Sequence, residues 1–97
     1  DVAEEAQWEA VLAAVLAADG RLDILVNNAG ISGSATNNLY DTALWDRIMA
    51  VNARGVFLGV KHAVAAMRQN GEAGGSIINF SSISGVVGQD RIHCAYN

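Results

Sequence analysis

The chain has 97 residues, enough for one small domain and short for a complete doubly wound enzyme. Hydrophobic residues make up 52 % and charged residues 16 %, with ten glycines and no proline, which excludes a disordered chain. A net charge of −4 with scattered Lys and Arg excludes both a basic nucleic-acid face and a polybasic membrane anchor.

In chain order, residues 3–18 carry Trp8, Val11, Leu12, Val15 and Leu16 at steps of three and one, the apolar stripe of an amphipathic helix. Glu4, Glu5 and Glu9 lie early, where the helix dipole favours negative charge, and Gly20 fits the position that ends the helix. Residues 22–26 read as a short strand. It is almost continuously apolar, as expected when helices cover both faces of a parallel sheet. Asn27-Asn28-Ala29-Gly30 follows at its C-terminal end, and residues 31–41 read as a polar loop. Asp41 or Thr42 can cap a long helix over 43–69, whose apolar residues cover more than one stripe and predict burial on several sides. Gly55 and Gly59 allow close packing there, at some cost in helix propensity. Gly71, Gly74 and Gly75 mark a turn, residues 76–82 read as a second strand, and Gly85 and Gly88 mark a loop. Ala95-Tyr96-Asn97 is expected to open another helix.

A strand–helix–strand order makes a right-handed crossover between parallel strands, so both strands end at one edge of the sheet. Ligands in such sheets bind at that edge, so the turn at 27–30 and the turn at 81–85 should face one crevice. The single cysteine, Cys94, allows no disulfide within the chain and fits a reducing, cytoplasmic setting. His93 and Cys94 are adjacent and His62 is distant, so no metal-ligand spacing is present; His93 and Cys94 are read as loop or lining residues. No apolar run is long enough to span a membrane.

Five segments carry more chemistry than their periodicity shows. They are Asp1-Val2, Asn27-Asn28-Ala29-Gly30, Val51-Asn52-Ala53-Arg54-Gly55-Val56-Phe57, the stretch from Gly75 through Ser81-Ser82 to Gly85, and Tyr96. In this order and near these spacings they resemble the short-chain dehydrogenases/reductases, over essentially the whole chain. The resemblance implies an α/β fold, a Rossmann-like doubly wound parallel sheet in three α/β/α layers. Residues 1–97 would be the central part of one such NAD(P)-binding domain, truncated at both ends. The glycine-rich pyrophosphate loop is then expected before Asp1, and the isolated 97 residues are expected to be inactive.

The resemblance also implies roles. Tyr96 would carry the proton to or from an alcohol oxygen while a hydride moves to or from NAD or NADP. Its phenol needs a nearby cation to titrate usefully, and the family's cation is a lysine one helical turn on, at position 100. Ser82 would donate a hydrogen bond to the carbonyl oxygen as it gains charge. Strand alternation is expected to put Ser81 on the opposite face. Asn52 would hold a water that links the lysine to solvent. Asp1, Val2, Asn28, Ala29, Gly30, Val51 and Tyr96 would contact the cofactor. From Ser82 to Tyr96 is 14 residues (96 − 82), one more than in many family members, and the extra residue falls in the loop 89–94. The implied substrate is a small secondary alcohol or ketone, and the implied partner a second copy, in a homodimer or homotetramer through the helix 43–69. Rival readings are a related epimerase or dehydratase, and a non-catalytic dinucleotide-binding sensor or scaffold.

Overall fold

The structure, a computed structural model, describes residues 1–34 and 37–97. Ala35 and Thr36, within the loop expected over 31–41, lie outside the described residues. Helix α1 spans Glu5–Asp19. It starts later than the stripe suggests because Asp1 first folds a turn, its carboxylate accepting the Ala3 N–H and its carbonyl the Glu4 N–H. It ends at Gly20, whose φ of 74° lets its N–H reach back to Leu16 O.

Strands β1 (Ile24–Asn27) and β2 (Ser76–Asn79) pair in parallel, Ile24 opposite Ser76 and Asn27 opposite Asn79. Both turns that follow therefore leave from the same edge, as the crossover rule requires. β2 is shorter than the sequence suggests. Phe80 N–H still bonds Asn27 O, but Ser81 and Ser82 leave the ladder as Ser82 Oγ accepts the Ser84 N–H at 3.2 Å and caps a single 3₁₀ turn over Ile83–Gly85.

The expected long helix is one rod with a fault in it. Asp41 caps α2 (Thr42–Met49), its Oδ1 accepting the Ala43 N–H at 3.1 Å. A π turn over Ala50–Arg54 follows, in which Gly55 N–H reaches back five residues to Ala50 O. Helix α3 then runs over Gly55–Met67 and decays into 3₁₀ turns over Arg68–Ala73. One extra residue in a turn rotates everything after it by about 100°. The rod's two halves thus bury different sides, which is why the sequence showed more than one stripe. Ile48 of α2 packs toward the loop at Gly33, whereas Leu58, Gly59, Ala63, Ala66 and Met67 of α3 face the sheet and α1.

Gly59 sets the closest approach. A methyl there would collide with Asn27 Oδ1 and stand 3.0 Å from the Trp8 ring. At the same helix pair Lys61 Nζ donates to Glu5 Oε1 at 2.5 Å, and His62 Nε2 lies 3.1 Å from that oxygen. Glu9 joins Glu5 and His62 in a group of ligand-type atoms within 4.8 Å of one another, a proximity that the sequence spacing does not announce. Among the described residues the helices cover one face of the strand pair. The other face shows Ile24, Val26, Ile78 and Phe80, 46–63 % exposed, so the double cover expected of β1 is not met within this chain. No helix among the described residues is long and apolar enough to cross a membrane.

Candidate active site

At the carboxyl edge of the strands lies a cleft of about 450 Å³. Its floor is Asn28, Ala29 and Gly30 from the end of β1, and its far wall is Phe80, Ser81 and Ser82 from the end of β2. Met49, Asn52, Ala53 and Val56 form a third wall from the helical rod, and Gly85, Ala95 and Tyr96 close it. Six of the residues singled out in the sequence therefore meet in one place: Asn28, Ala29, Gly30, Asn52, Ser82 and Tyr96.

Asn27 holds the edge together from below. It is buried, its Nδ2 donates to Asn79 Oδ1 at 2.9 Å, and its carbonyl accepts the Phe80 N–H at 2.9 Å. The last residues of the two strands are thus locked before each chain turns into the cleft. Asn52 sits in the π turn and grips the loop beyond Gly30. Its Oδ1 accepts the Ile31 N–H at 2.9 Å and its Nδ2 donates to Ile31 O at 2.8 Å. One amide thereby ties the rod to the floor, and a π turn is a recurrent place for such a function.

Ser82 accepts from Ser84, so its own O–H proton remains available as a donor. Ser81 also lines the cleft. The expectation that alternation would turn it away is corrected, because both serines lie beyond the last paired residue, Asn79, where strand alternation no longer applies. Tyr96 is half-buried and stands on a turn, its N–H donating to His93 O at 2.9 Å, at the place where a helix is expected to open.

Asp1, Val2 and Val51 stand outside this cleft, in hollows that adjoin it. Val2, Trp8, Asn28, Ala29, Val51 and Val56 border a narrow neck of about 40 Å³. Beyond it Asp1, Val2, Trp8 and Val11 border a mostly apolar hollow of about 240 Å³. The three hollows share lining residues and so lie side by side, the second between the other two. Val2 is fixed there by Trp8, whose Nε1 donates to its carbonyl at 2.8 Å. The groups whose titration is displaced lie away from the cleft: Arg21 holds the Asp23 carboxyl below its ordinary range, and Lys61 with His62 does the same for Glu5.

Sequence reasoning missed Met49, Ala53 and Val56 as cleft residues. The signal was present, since with Asn52 they recur at steps of three, one and three on one helix face. Phe80 carried no such signal.

The whole chain, residues 1–97, matches the family model described as short chain dehydrogenase. It is 45 % identical over 93 residues to a 3-alpha-(or 20-beta)-hydroxysteroid dehydrogenase of Mycobacterium tuberculosis, covering 96 % of this chain and 35 % of that one. It is 43 % identical over 88 residues to an inactive 2-(S)-hydroxypropyl-CoM dehydrogenase 2 of Xanthobacter autotrophicus, covering 91 % and 37 %. A crystal structure assigned to the short-chain dehydrogenases/reductases, from Burkholderia xenovorans, superposes with a TM-score of 0.87 at 34 % identity, over 99 % of this chain and 37 % of that one. The chain thus spans little more than a third of the length of these relatives. With the parallel strand pair, the N-N-A-G turn and the serine turn at one edge, these matches show that the chain belongs to the short-chain dehydrogenase/reductase family.

Proposed function

We propose that these residues are the central part of a Rossmann-type oxidoreductase domain, one that moves a hydride between NAD or NADP and a secondary alcohol or its ketone. The observation that carries this reading is the cleft itself, which gathers Asn28, Ala29, Gly30, Asn52, Ser82 and Tyr96 from four separate segments. One of the relatives reported above bears the name of a hydroxysteroid dehydrogenase. The row of adjoining hollows suits an extended dinucleotide, with an apolar recess at one end for a base and polar donors at the other. Asp1, Val2, Val51 and the 28–30 backbone would hold the cofactor, which supplies the hydride chemistry when bound.

The chain's own residues do the rest. The Tyr96 hydroxyl passes a proton to or from the substrate oxygen, helped by the cation that the family places at position 100. Ser82 donates to the same oxygen as charge develops on it. Asn52 holds the floor through Ile31, and the family assigns it a water beside the cation. The cytoplasm and a homodimeric or homotetrameric state belong to the same proposal, on the lone Cys94 and the exposed apolar side of α3.

The test is Tyr96→Phe in the full-length protein, with steady-state kinetics and cofactor binding measured in parallel. Turnover should nearly vanish while cofactor affinity holds, because only the phenol oxygen is lost. Retention of more than about a tenth of turnover, a loss under ~1.4 kcal/mol, would sink the assignment. A non-catalytic binding role is the second reading, favoured by the inactive relative that shares this segment. A residue other than lysine at position 100 would support it.

A further inference from the structure

The proton-carrying role proposed for Tyr96 requires its hydroxyl to be held at a fixed place against the cleft, yet its turn is anchored by neither strand. His93 lies three residues before it and is fully buried. Its Nε2 lies 3.0 Å from Asp41 O, an atom that can only accept, so Nε2 carries the ring proton. Its Nδ1 accepts the Ala95 N–H at 3.2 Å, so that nitrogen is bare. The ring is therefore neutral in a single tautomer, with each nitrogen committed to a different segment. Its Cβ and the end of Ile48 both press on Gly33, where an added methyl would stand 2.9 and 3.0 Å from them.

Two successive amides, Ala95 and Tyr96, thus bond to this one residue, the first to its ring and the second to its carbonyl. On the other side, Asp41 O also accepts the Trp45 N–H, the first bond of the helix that continues into the π turn bearing Asn52. Cys94 N–H adds a bond to Leu39 O at 3.3 Å. We infer that His93 is a positioning residue: its imidazole ties the Tyr96 turn to the start of the helical rod and so sets Tyr96 against Asn52. This rests on the catalytic reading of Tyr96. A misplacement of about 1 Å between reacting groups can cost about 10²-fold in rate, so a tie of this kind has leverage far larger than its two bonds.

The test uses two conservative variants of the full-length protein. His93→Asn keeps an oxygen near the Ala95 N–H but is too short for Asp41 O. His93→Gln extends an amide toward Asp41 O but gives up the Ala95 bond. Each should lower kcat about tenfold or more and displace the pH–rate midpoint that Tyr96→Phe abolishes, with cofactor Kd within about twofold of wild type. A lower Tm with unchanged kcat and unchanged pH–rate midpoint, measured well below that Tm, would make His93 merely structural and overturn the inference. Ring-nitrogen NMR of the unmutated protein provides a second check that needs no variant. A proton on Nδ1, or a charged ring at neutral pH, would also overturn it. Should Tyr96→Phe itself retain turnover, the catalytic reading falls first and takes this role with it, which separates the two failures.

Discussion

Ser82 caps a turn with its acceptor and keeps a donor for the cleft, so Ser82→Ala removes both. Turnover should fall by about 10²–10³ from the lost donor, and stability by about 1 kcal/mol from the lost cap. Ser81→Ala, measured beside it, should leave most of the turnover because Ser82 is the proposed donor, and should leave the stability because Ser81 does not cap the turn. Asn27 is a different case, because its role is internal to the edge. Asn27→Ala strands Asn79 Oδ1 and should cost about 1–3 kcal/mol in urea unfolding of the full-length protein. The sequence marked Asn27 by motif but was silent on its partner. The two asparagines stand 52 residues apart, and only the parallel register brings them together. His93 was hidden for a similar reason: the atoms that fix its ring belong to Asp41 and Ala95, and no spacing rule connects 41 to 93.

The elements were legible where periodicity is local and blurred where tertiary bonds intervene. The stripe of α1 and its glycine stop emerged nearly as read. The π turn did not, because apolar residues on two sides of one rod look like a helix buried all round until the extra residue is seen. Gly59→Ala tests how tightly α3 sits on β1. The substitution gains about 1 kcal/mol of helix propensity. Against this, overpacking costs about 1–3 kcal/mol, and Asn27 cannot yield because its amide is bonded to Asn79. Net destabilisation, seen as a lower urea midpoint, is the expected outcome. The contact of α1 with α3 carries a pH dependence. Lys61 first, and then His62, lower the Glu5 titration, and a carboxyl lowered by folding stabilises the fold at neutral pH. That contribution is lost as pH falls through the acid range below about 4. Glu5→Gln should flatten this part of the Tm-against-pH curve; an unchanged acid slope would show that the clasp contributes nothing.

For the molecule as a whole, the apolar surface that stays uncovered matters most. Phe57 stands 63 % exposed on the outer side of α3, at the family's V-N-x-x-G-x-F position. Phe57→Asp should convert the full-length protein to a smaller species in sedimentation velocity, and an unchanged sedimentation coefficient would remove this part of α3 from the interface. The parallel strand pair has a consequence in time rather than in space. A strand made early must wait for a partner made much later, since 52 residues of synthesis separate Asn27 from Asn79. At about 5–20 residues per second, that wait is about 3–10 s on the ribosome. Throughout it Ile24, Val26 and the 28–30 turn lack β2 beside them, and half of the cleft exists without the other half. The nascent chain therefore presents the β2-facing edge of an apolar strand unpaired for seconds, the interval in which a holding chaperone has most to bind.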